Sequence, residues 1–305
     1  MPATLRSAAR ALYDNPALLL VLTTLFWAGN VIAGQLARGE VTPMQLVLLR
    51  WVVVALILWP IFGGQVIAHW ATARARIGRI VLMAFIGFTG FNTMFYIASL
   101  YTGAVNIGIL QGSMPGFVLL GAFLAHGTRV TGVQAVGVAV TMLGVALVAT
   151  LGRPWDILGL QWNPGDLIML SACALYAAYA VMLQGRPDIP GPVFFTLLTV
   201  VAMVTAIPMA VAEAAFVDDY RLPTVTGWLV TLYIALFPSC LAQIFFLRGV
   251  DLIGPGRAGV YTNLVPVFAA VMAVFLLRES FALYHGVALV LVLGGIALAQ
   301  RRPRS

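Results

Sequence analysis

Runs of about 20 consecutive, predominantly apolar residues recur along almost the whole chain, and each is long enough to cross a ~30 Å hydrocarbon core when coiled at ~1.5 Å per residue. Ten can be placed: near Leu18 to Ala37, Met44 to Phe62, Ile77 to Tyr101, Ala104 to Ala125, Val130 to Leu151, Asp166 to Leu183, Pro192 to Ala212, Trp228 to Leu247, Ala258 to Leu277 and Ala282 to Ala299. A chain built this way needs lipid as its solvent. Hydrophobic residues make up 62% and charged residues 9% of it, and the mean hydropathy is +1.00, outside the range of soluble domains. The runs are Gly-rich and continuously apolar, without the inside/outside alternation of a membrane β-barrel, so the expected fold class is all-α integral membrane. No cleavable leader stands out at the N-terminus.

All 17 basic residues are arginines. A phosphate-binding P-loop lysine and a Schiff-base lysine are therefore both excluded. With the N-terminus placed in the cytoplasm, the inside segments hold Arg6, Arg10, Arg74, Arg76, Arg79, Arg129, Arg186, Arg248, Arg257, Arg301, Arg302 and Arg304. The outside loops then hold only Arg38, Arg153, Arg221 and Arg278, and Arg50 alone falls inside a helix. The positive-inside rule favours this orientation, with both termini cytoplasmic. The net charge of +7 is scattered over many short loops rather than gathered on one surface, which argues against nucleic acid as a partner. Cys173 and Cys240 fall in separate helices, so no disulfide framework is expected.

No connection between runs exceeds about 18 residues, which leaves no room for a soluble catalytic or nucleotide-binding domain. Function must reside among the helices. The chain also repeats itself. A shift of 151 positions matches Phe95 with Phe246, Gly103 with Gly254, Gly108 with Gly259, Pro115 with Pro266 and Phe117 with Phe268. The same register matches Ala122 with Ala273, Val136 with Val287, Gly144 with Gly295, Ala146 with Ala297 and Leu147 with Leu298. A shift of 149 aligns Trp27 with Tyr176, Gln35 with Gln184 and Pro43 with Pro192. Two units follow, 1–152 and 153–305, each of five helices. An odd number makes the second enter the membrane from the opposite face, the inverted arrangement recurrent in secondary transporters that open a central site to each side in turn.

A first helix carrying Leu25-Phe26-Trp27-Ala28-Gly29-Asn30, followed by Pro43 and Arg50 in the second, resembles the drug/metabolite transporter superfamily and its EamA-type branch. Ala98-Ser99-Leu100 through Gly103, Ala104 and Pro115, and Gly249 through Gly254, Gly259 and Pro266, resemble that branch's recurring pattern. In length and in these segments the chain is similar to YddG-type exporters, bacterial inner-membrane proteins associated with aromatic amino acids and related small metabolites. The resemblance implies a bundle whose third, fourth, eighth and ninth helices flank a central cavity. Many relatives carry an acidic residue near the end of the fourth helix. Here His126 occupies that place, and Glu279 stands at the second-repeat counterpart.

Pro115 and Pro266, near the middle of their helices, each lack an N–H and push away the carbonyl four residues earlier, so free acceptors are expected at Gln111 and Thr262. They read either as kinks or hinges or as receivers of a substrate ammonium. Gly108, Gly112 and Gly116 lay a smooth stripe along one face of the fourth helix, suited to close packing. Arg50, inside a span, must be paired, hydrated or reaching for an interface. It reads as a cavity cation for a substrate carboxylate or as a packing residue bonded to carbonyls, and its counterpart Thr199 argues against a symmetric substrate role. The remaining cavity candidates are Trp27 and Asn30, Asn92 and Tyr96, Gln111 and Ser113, Tyr176 and Tyr179, Gln243, and Tyr261, Thr262 and Asn263. They supply the mixture an amino-acid pocket needs, a few polar groups in a largely apolar and aromatic lining.

Asp166, Glu213, Asp251 and Glu279 all fall near helix ends, with Glu279 expected to cap or pair at the end of the ninth helix. Without a deep carboxylate, facilitated movement down a gradient is the simplest energetics. The sequence thus points to an exporter of amino acids, aromatic ones among them, by alternating access at a midplane cavity. The alternatives are an exporter of another metabolite or drug-like compound, an intramembrane enzyme, and a receptor or assembly factor. No Gly-x-Ser-x-Gly or His-Glu-x-x-His stretch and no metal-ligand or cofactor pattern occurs, and His69, His126 and His285 fall at or near loops. The short loops offer little surface to an obligate protein partner.

Overall fold

A computed structural model describes residues 13–128, 130–153, 163–217 and 220–300. Arg6, Arg10, Arg129, Arg301, Arg302, Arg304 and both chain termini lie outside them, so the expected placement of the termini does too.

Ten apolar helices account for the described chain. They are α1 (Pro16–Leu36), α2 (Pro43–Ala68), α3 (Ile77–Tyr101), α4 (Ala104–His126), α5 (Gly132–Ala149), α6 (Pro164–Gly185), α7 (Gly191–Phe216), α8 (Val225–Ile253), α9 (Arg257–Leu277) and α10 (Leu283–Ala299). Nine are long and apolar enough to cross a membrane, and α10 is a 17-residue apolar helix. Large apolar side chains such as Leu124, Leu143, Phe216, Phe275 and Val290 stand exposed on the outside of the bundle, a surface that lipid tails accept and water does not.

The helix starts follow local chemistry. Proline occupies the first turn of α1, α2, α6 and α7, where its missing N–H costs nothing. Asn15 Oδ1 accepts the Leu18 N–H at 3.1 Å, and Thr131 with Gln134 forms a reciprocal capping box on α5. Helices α2, α7 and α8 extend several residues beyond their expected apolar runs, because Gln65, Glu213 and Arg248 are carried on helix rather than in loops. Two spans contain a π-helical turn, Phe85–Gly90 in α3 and Ala235–Leu241 in α8. Such turns widen the coil and release backbone groups, and they gather at functional places.

Packing pairs α5 with α10, α2 with α7, α3 with α6, α1 with α8 and α9, and α4 with α6 and α9. The α5–α10 contact is the most extensive. A Cβ on Gly137 falls 2.5 Å from the Ala299 nitrogen, and one on Gly295 falls 2.5 Å from the Gly137 oxygen, so the two backbones touch where only glycine fits. The loops at one end of the bundle contain Arg38, Arg153, Arg221 and Arg278, and those at the other contain Arg74, Arg76 and Arg186. They are called here the Arg38 end and the Arg76 end.

Candidate functional site

The two π turns face one arginine. In α8 the widened coil lets Ser239 Oγ donate to the Ile234 carbonyl at 2.6 Å, and in α3 Asn92 Nδ2 donates to the Phe88 carbonyl at 2.6 Å. Arg50 on α2 lies between them, 6% exposed. Its Nε donates to Ser239 Oγ at 2.6 Å, and its Nη1 donates to Asn92 Oδ1 and to the Tyr96 hydroxyl at 2.9 Å. Tyr96 in turn donates to Asn30 Oδ1 on α1 at 2.8 Å. One guanidinium thus ties α1, α2, α3 and α8 together through neutral partners. Its Nη2 has no partner among the described residues. A buried cation without a counter-ion is costly, so hydrogen bonds hold it while its charge remains available.

The Trp51 ring lies 4.8 Å from this cation, and a cluster of further rings extends from it. Trp51 lies 5.1 Å from Phe88, which contacts Tyr179 edge-on at 5.3 Å and Phe195 at 6.0 Å. Tyr176 lies 5.1 Å from Phe91 and 5.6 Å from Tyr179. Trp27 belongs to a separate contact, donating its Nε1–H to the Pro238 carbonyl at 3.2 Å with its ring 5.3 Å from Phe246. Asn30, Arg50, Asn92 and Tyr96 are therefore brought together, Tyr176 and Tyr179 join the aromatic wall, and Ser239 enters though sequence reasoning missed it. The only sequence signal for Ser239 was the preceding proline, Pro238, inside an otherwise apolar span.

The helical coil is interrupted just before the prolines of α4 and α9, although Gly112, Ser113, Thr262 and Asn263 all keep right-handed helical backbone angles. α4 breaks between Ala104–Gln111 and Met114–His126, and α9 between Pro255–Tyr261 and Leu264–Leu277, so Pro115 and Pro266 sit in the first turn of the second piece. A first-turn proline sacrifices no helical bond. The Thr262 carbonyl accepts the Val265 N–H at 3.1 Å, so the expected pair of free acceptors is not formed. At the α4 break Gln111 Nε2 and Ser113 Oγ are buried with no partner among the described residues. At the α9 break Thr262 Oγ1 donates to the Gly259 carbonyl at 2.7 Å, and Asn263 Nδ2 donates to Gln300 Oε1 at 3.2 Å. Tyr261 and Gln243 are half-buried and lie outside the Arg50 network. The three glycines of α4 each face a different helix. A Cβ on Gly108 falls 2.7 Å from Ala269 of α9, one on Gly112 2.2 Å from Val292 of α10, and one on Gly116 3.3 Å from Met142 of α5.

The Arg38 end is laced with polar bonds. Glu213, at the end of α7, accepts the Met44 and Gln45 N–H groups at 3.1 and 3.0 Å and the Thr42 hydroxyl, which caps α2 from another helix. Glu279 does the same for α4, accepting the Ala104 and Val105 N–H groups at 2.7 and 2.9 Å; it caps α4 rather than its own helix. Carboxylates at helix starts meet both the free N–H groups and the positive end of the dipole. Glu213→Gln removes the charge and one acceptor, and it is expected to cost about 1–2 kcal/mol, read as an earlier denaturation midpoint of the purified protein. An unchanged midpoint contradicts the capping role. Arg38 donates through Nη2 to the Thr102 carbonyl at 2.7 Å and through Nε to the Ser99 carbonyl. Burial pulls its guanidinium below the usual arginine range, against the opposing charge of Glu279.

Cys173 and Cys240 are both buried free thiols. Among the described residues no three His, Cys, Asp or Glu side chains approach closely enough to hold a metal ion.

The comparisons with known proteins agree with this architecture. The sequence model of the EamA-like transporter family matches the chain twice, over residues 15–150 and 163–300. Two relatives from Bacillus subtilis (strain 168), the uncharacterized transporters YetK and YyaM, are each 26% identical over 220 residues, covering 71% and 72% of this chain. The match spans 66% of YetK, just under two thirds of its length, and 72% of YyaM. An uncharacterized transporter of Archaeoglobus fulgidus is 24% identical over 92% of this chain and 96% of its own. A crystal structure shares the fold with a TM-score of 0.62 at 16% identity, covering 93% of this chain and 97% of that one.

Proposed function

This chain belongs to the EamA-like transporter family, and we propose that it exports amino acids, aromatic ones among them, across a bacterial inner membrane by alternating access around Arg50. The observation that carries the reading is a buried guanidinium bonded only to neutral groups, with Nη2 unpartnered among the described residues and aromatic rings close by. A substrate carboxylate supplies the missing anion, and the rings of Phe88, Tyr176 and Tyr179 offer stacking to an aromatic side chain. Gln111 and Ser113, unpartnered at the α4 break, offer further polar groups.

Alternating access draws support from the symmetry of the packing. Exchanging each of the first five helices with its counterpart in the second five turns the α3–α6 contact into α8–α1 and the α4–α6 contact into α9–α1, and it leaves α5–α10, α2–α7 and α4–α9 as they are. The π turns of α3 and α8 and the breaks of α4 and α9 obey the same exchange. These features favour two inverted five-helix units, 1–152 and 153–305; the arginine distribution of the sequence separately favours an orientation with both termini in the cytoplasm.

Trp51 lies beside the Arg50 guanidinium, 4.8 Å from it, and reports binding. Titrating the purified protein with phenylalanine is expected to give a saturable change in tryptophan emission. Phenethylamine, which keeps the ring and ammonium but lacks the carboxylate, is expected to bind at least ~10-fold more weakly, since a charge-assisted hydrogen bond contributes about 1.5–3 kcal/mol. Equal affinities for the two compounds contradict Arg50 as the carboxylate site. Tyr96→Phe, which removes one support of Arg50, is expected to weaken phenylalanine binding several-fold without unfolding the protein.

A further inference from the structure

Asp166 is the most deeply buried carboxyl among the described residues, 1% exposed, although it lies in the first turn of α6. Its Oδ1 accepts the Thr102 hydroxyl at 2.6 Å, and its Oδ2 is buried with no partner among the described residues. Thr102 Oγ1 accepts from Asn106 Nδ2 at 3.2 Å, and Asn106 Oδ1 lies 3.2 Å from His285 Nε2 on α10. His285 Nδ1 accepts the Ala282 N–H at 3.0 Å. That last bond fixes the ring as its neutral Nε2–H form, because a second proton on Nδ1 has no room beside a donor. Every hydrogen in the chain therefore points toward Asp166.

Among the described residues no cation pairs with this carboxyl. Tyr284 of α10 faces Asp166, with its ring 4.0 Å from that of His285. Glu279, from the α9–α10 link, faces His285 and adds negative charge. Arg38, from the α1–α2 link, reaches the Thr102 carbonyl rather than Asp166, and Tyr101 presents its carbonyl to Asn163. The other ionisable residues of α6, Cys173, Tyr176 and Tyr179, lie deeper in the bundle. A buried carboxylate whose side-chain donors are the neutral Thr102 and Asn106, with no cation beside it among the described residues, is disfavoured against its neutral acid by desolvation.

We propose that Asp166 is a proton-binding site that couples protonation to the opening of the Arg38 end. In this conformation Oδ2 carries the proton. When α4 and α10 separate from each other at this end, the Asn106–His285 link parts, water reaches the carboxyl, and the proton passes from Oδ2 to that water, leaving the carboxylate. Closing the end again requires a proton to be taken back from water. The coupling rests on the alternating-access reading above, whereas the proton site itself does not.

Infrared difference spectroscopy of the full chain in lipid vesicles, without any substrate, tests the site while pH is stepped. The wild type is expected to show the carbonyl band of a protonated carboxyl that disappears at high pH, and Asp166→Asn is expected to lack it. Thr102→Val, which removes the one donor to Oδ1, keeps the band and moves its frequency and midpoint. A difference spectrum identical in wild type and Asp166→Asn overturns the proposal, as does a band that responds to sodium at constant pH. Counterflow of labelled phenylalanine under an imposed pH gradient then tests the coupling. The gradient is expected to alter wild-type flux several-fold and to leave exchange by Asp166→Asn unaffected. An Asp166 band without flux of any amino acid refutes the transport reading and keeps the proton site, and gradient-insensitive flux without the band does the reverse.

Discussion

Arg50→Met is expected to lower amino-acid counterflow at least ~100-fold in protein that still purifies as a folded species. Methionine is unbranched, flexible and smaller than arginine, so it fits within the same slot, and the partners left behind keep bonds of their own: Ser239 to Ile234, Asn92 to Phe88 and Tyr96 to Asn30. What is lost is the cation that meets the substrate carboxylate. A 100-fold loss corresponds to about 2.7 kcal/mol, within the range for removing one partner of a buried charge pair. Arg50→Lys is expected to fail nearly as badly. An ammonium cannot donate along the Nε direction to Ser239 and the Nη1 direction to Asn92 and Tyr96 while leaving a third donor free. Flux within a few-fold of wild type for either variant makes Arg50 a packing residue only.

Gly137→Leu is expected to have the largest effect on assembly. The added Cβ alone falls 2.5 Å from the Ala299 nitrogen and 2.6 Å from the Gly295 oxygen, both backbone atoms that no rotamer change can move. The α5 and α10 helices must separate, and with them the close approach at Gly144, where an added Cβ would fall 2.8 Å from the Ala288 carbonyl oxygen. The cost is expected to exceed ~3 kcal/mol, above the ordinary range for overpacking. Yield of monodisperse protein after detergent extraction measures it. Gly64→Leu, at a position where a new Cβ meets nothing within 4 Å, serves as the matched control and is expected to behave as wild type. Equal yields for the two variants contradict the close contact of α5 and α10.

Much of the fold was legible because a bilayer leaves few choices. Apolar runs long enough to span it must be helical, and every expected run corresponds to a helix. The ends were less legible: α8 runs on to Ile253, past Arg248, which pairs with Asp14 at 2.9 Å instead of ending the span. The α4 and α9 interruptions were marked by their prolines, which fall in the first turn after each of them. The site was partly legible. Arg50, Asn30, Asn92 and Tyr96 stood out as polar groups in apolar runs and do meet. Ser239 did not stand out, because its role depends on a π turn that no local pattern announces. Asp166 was set aside as a helix-end residue, and a position in the first turn of α6 hides the burial that α3, α4 and α10 impose from three other parts of the chain.

Counterflow in proteoliposomes tests the central claim most directly. Vesicles carrying the full chain are loaded with one unlabelled compound at a time from a panel of amino acids, their decarboxylated amines and unrelated metabolites, and uptake of labelled phenylalanine is followed without a pH gradient. The account predicts that aromatic amino acids inside accelerate uptake while the corresponding amines do not, because only the former carry the carboxylate that Arg50 receives. Folded protein that exchanges labelled phenylalanine against no amino acid in the panel, or equally well against amines that lack a carboxylate, contradicts it.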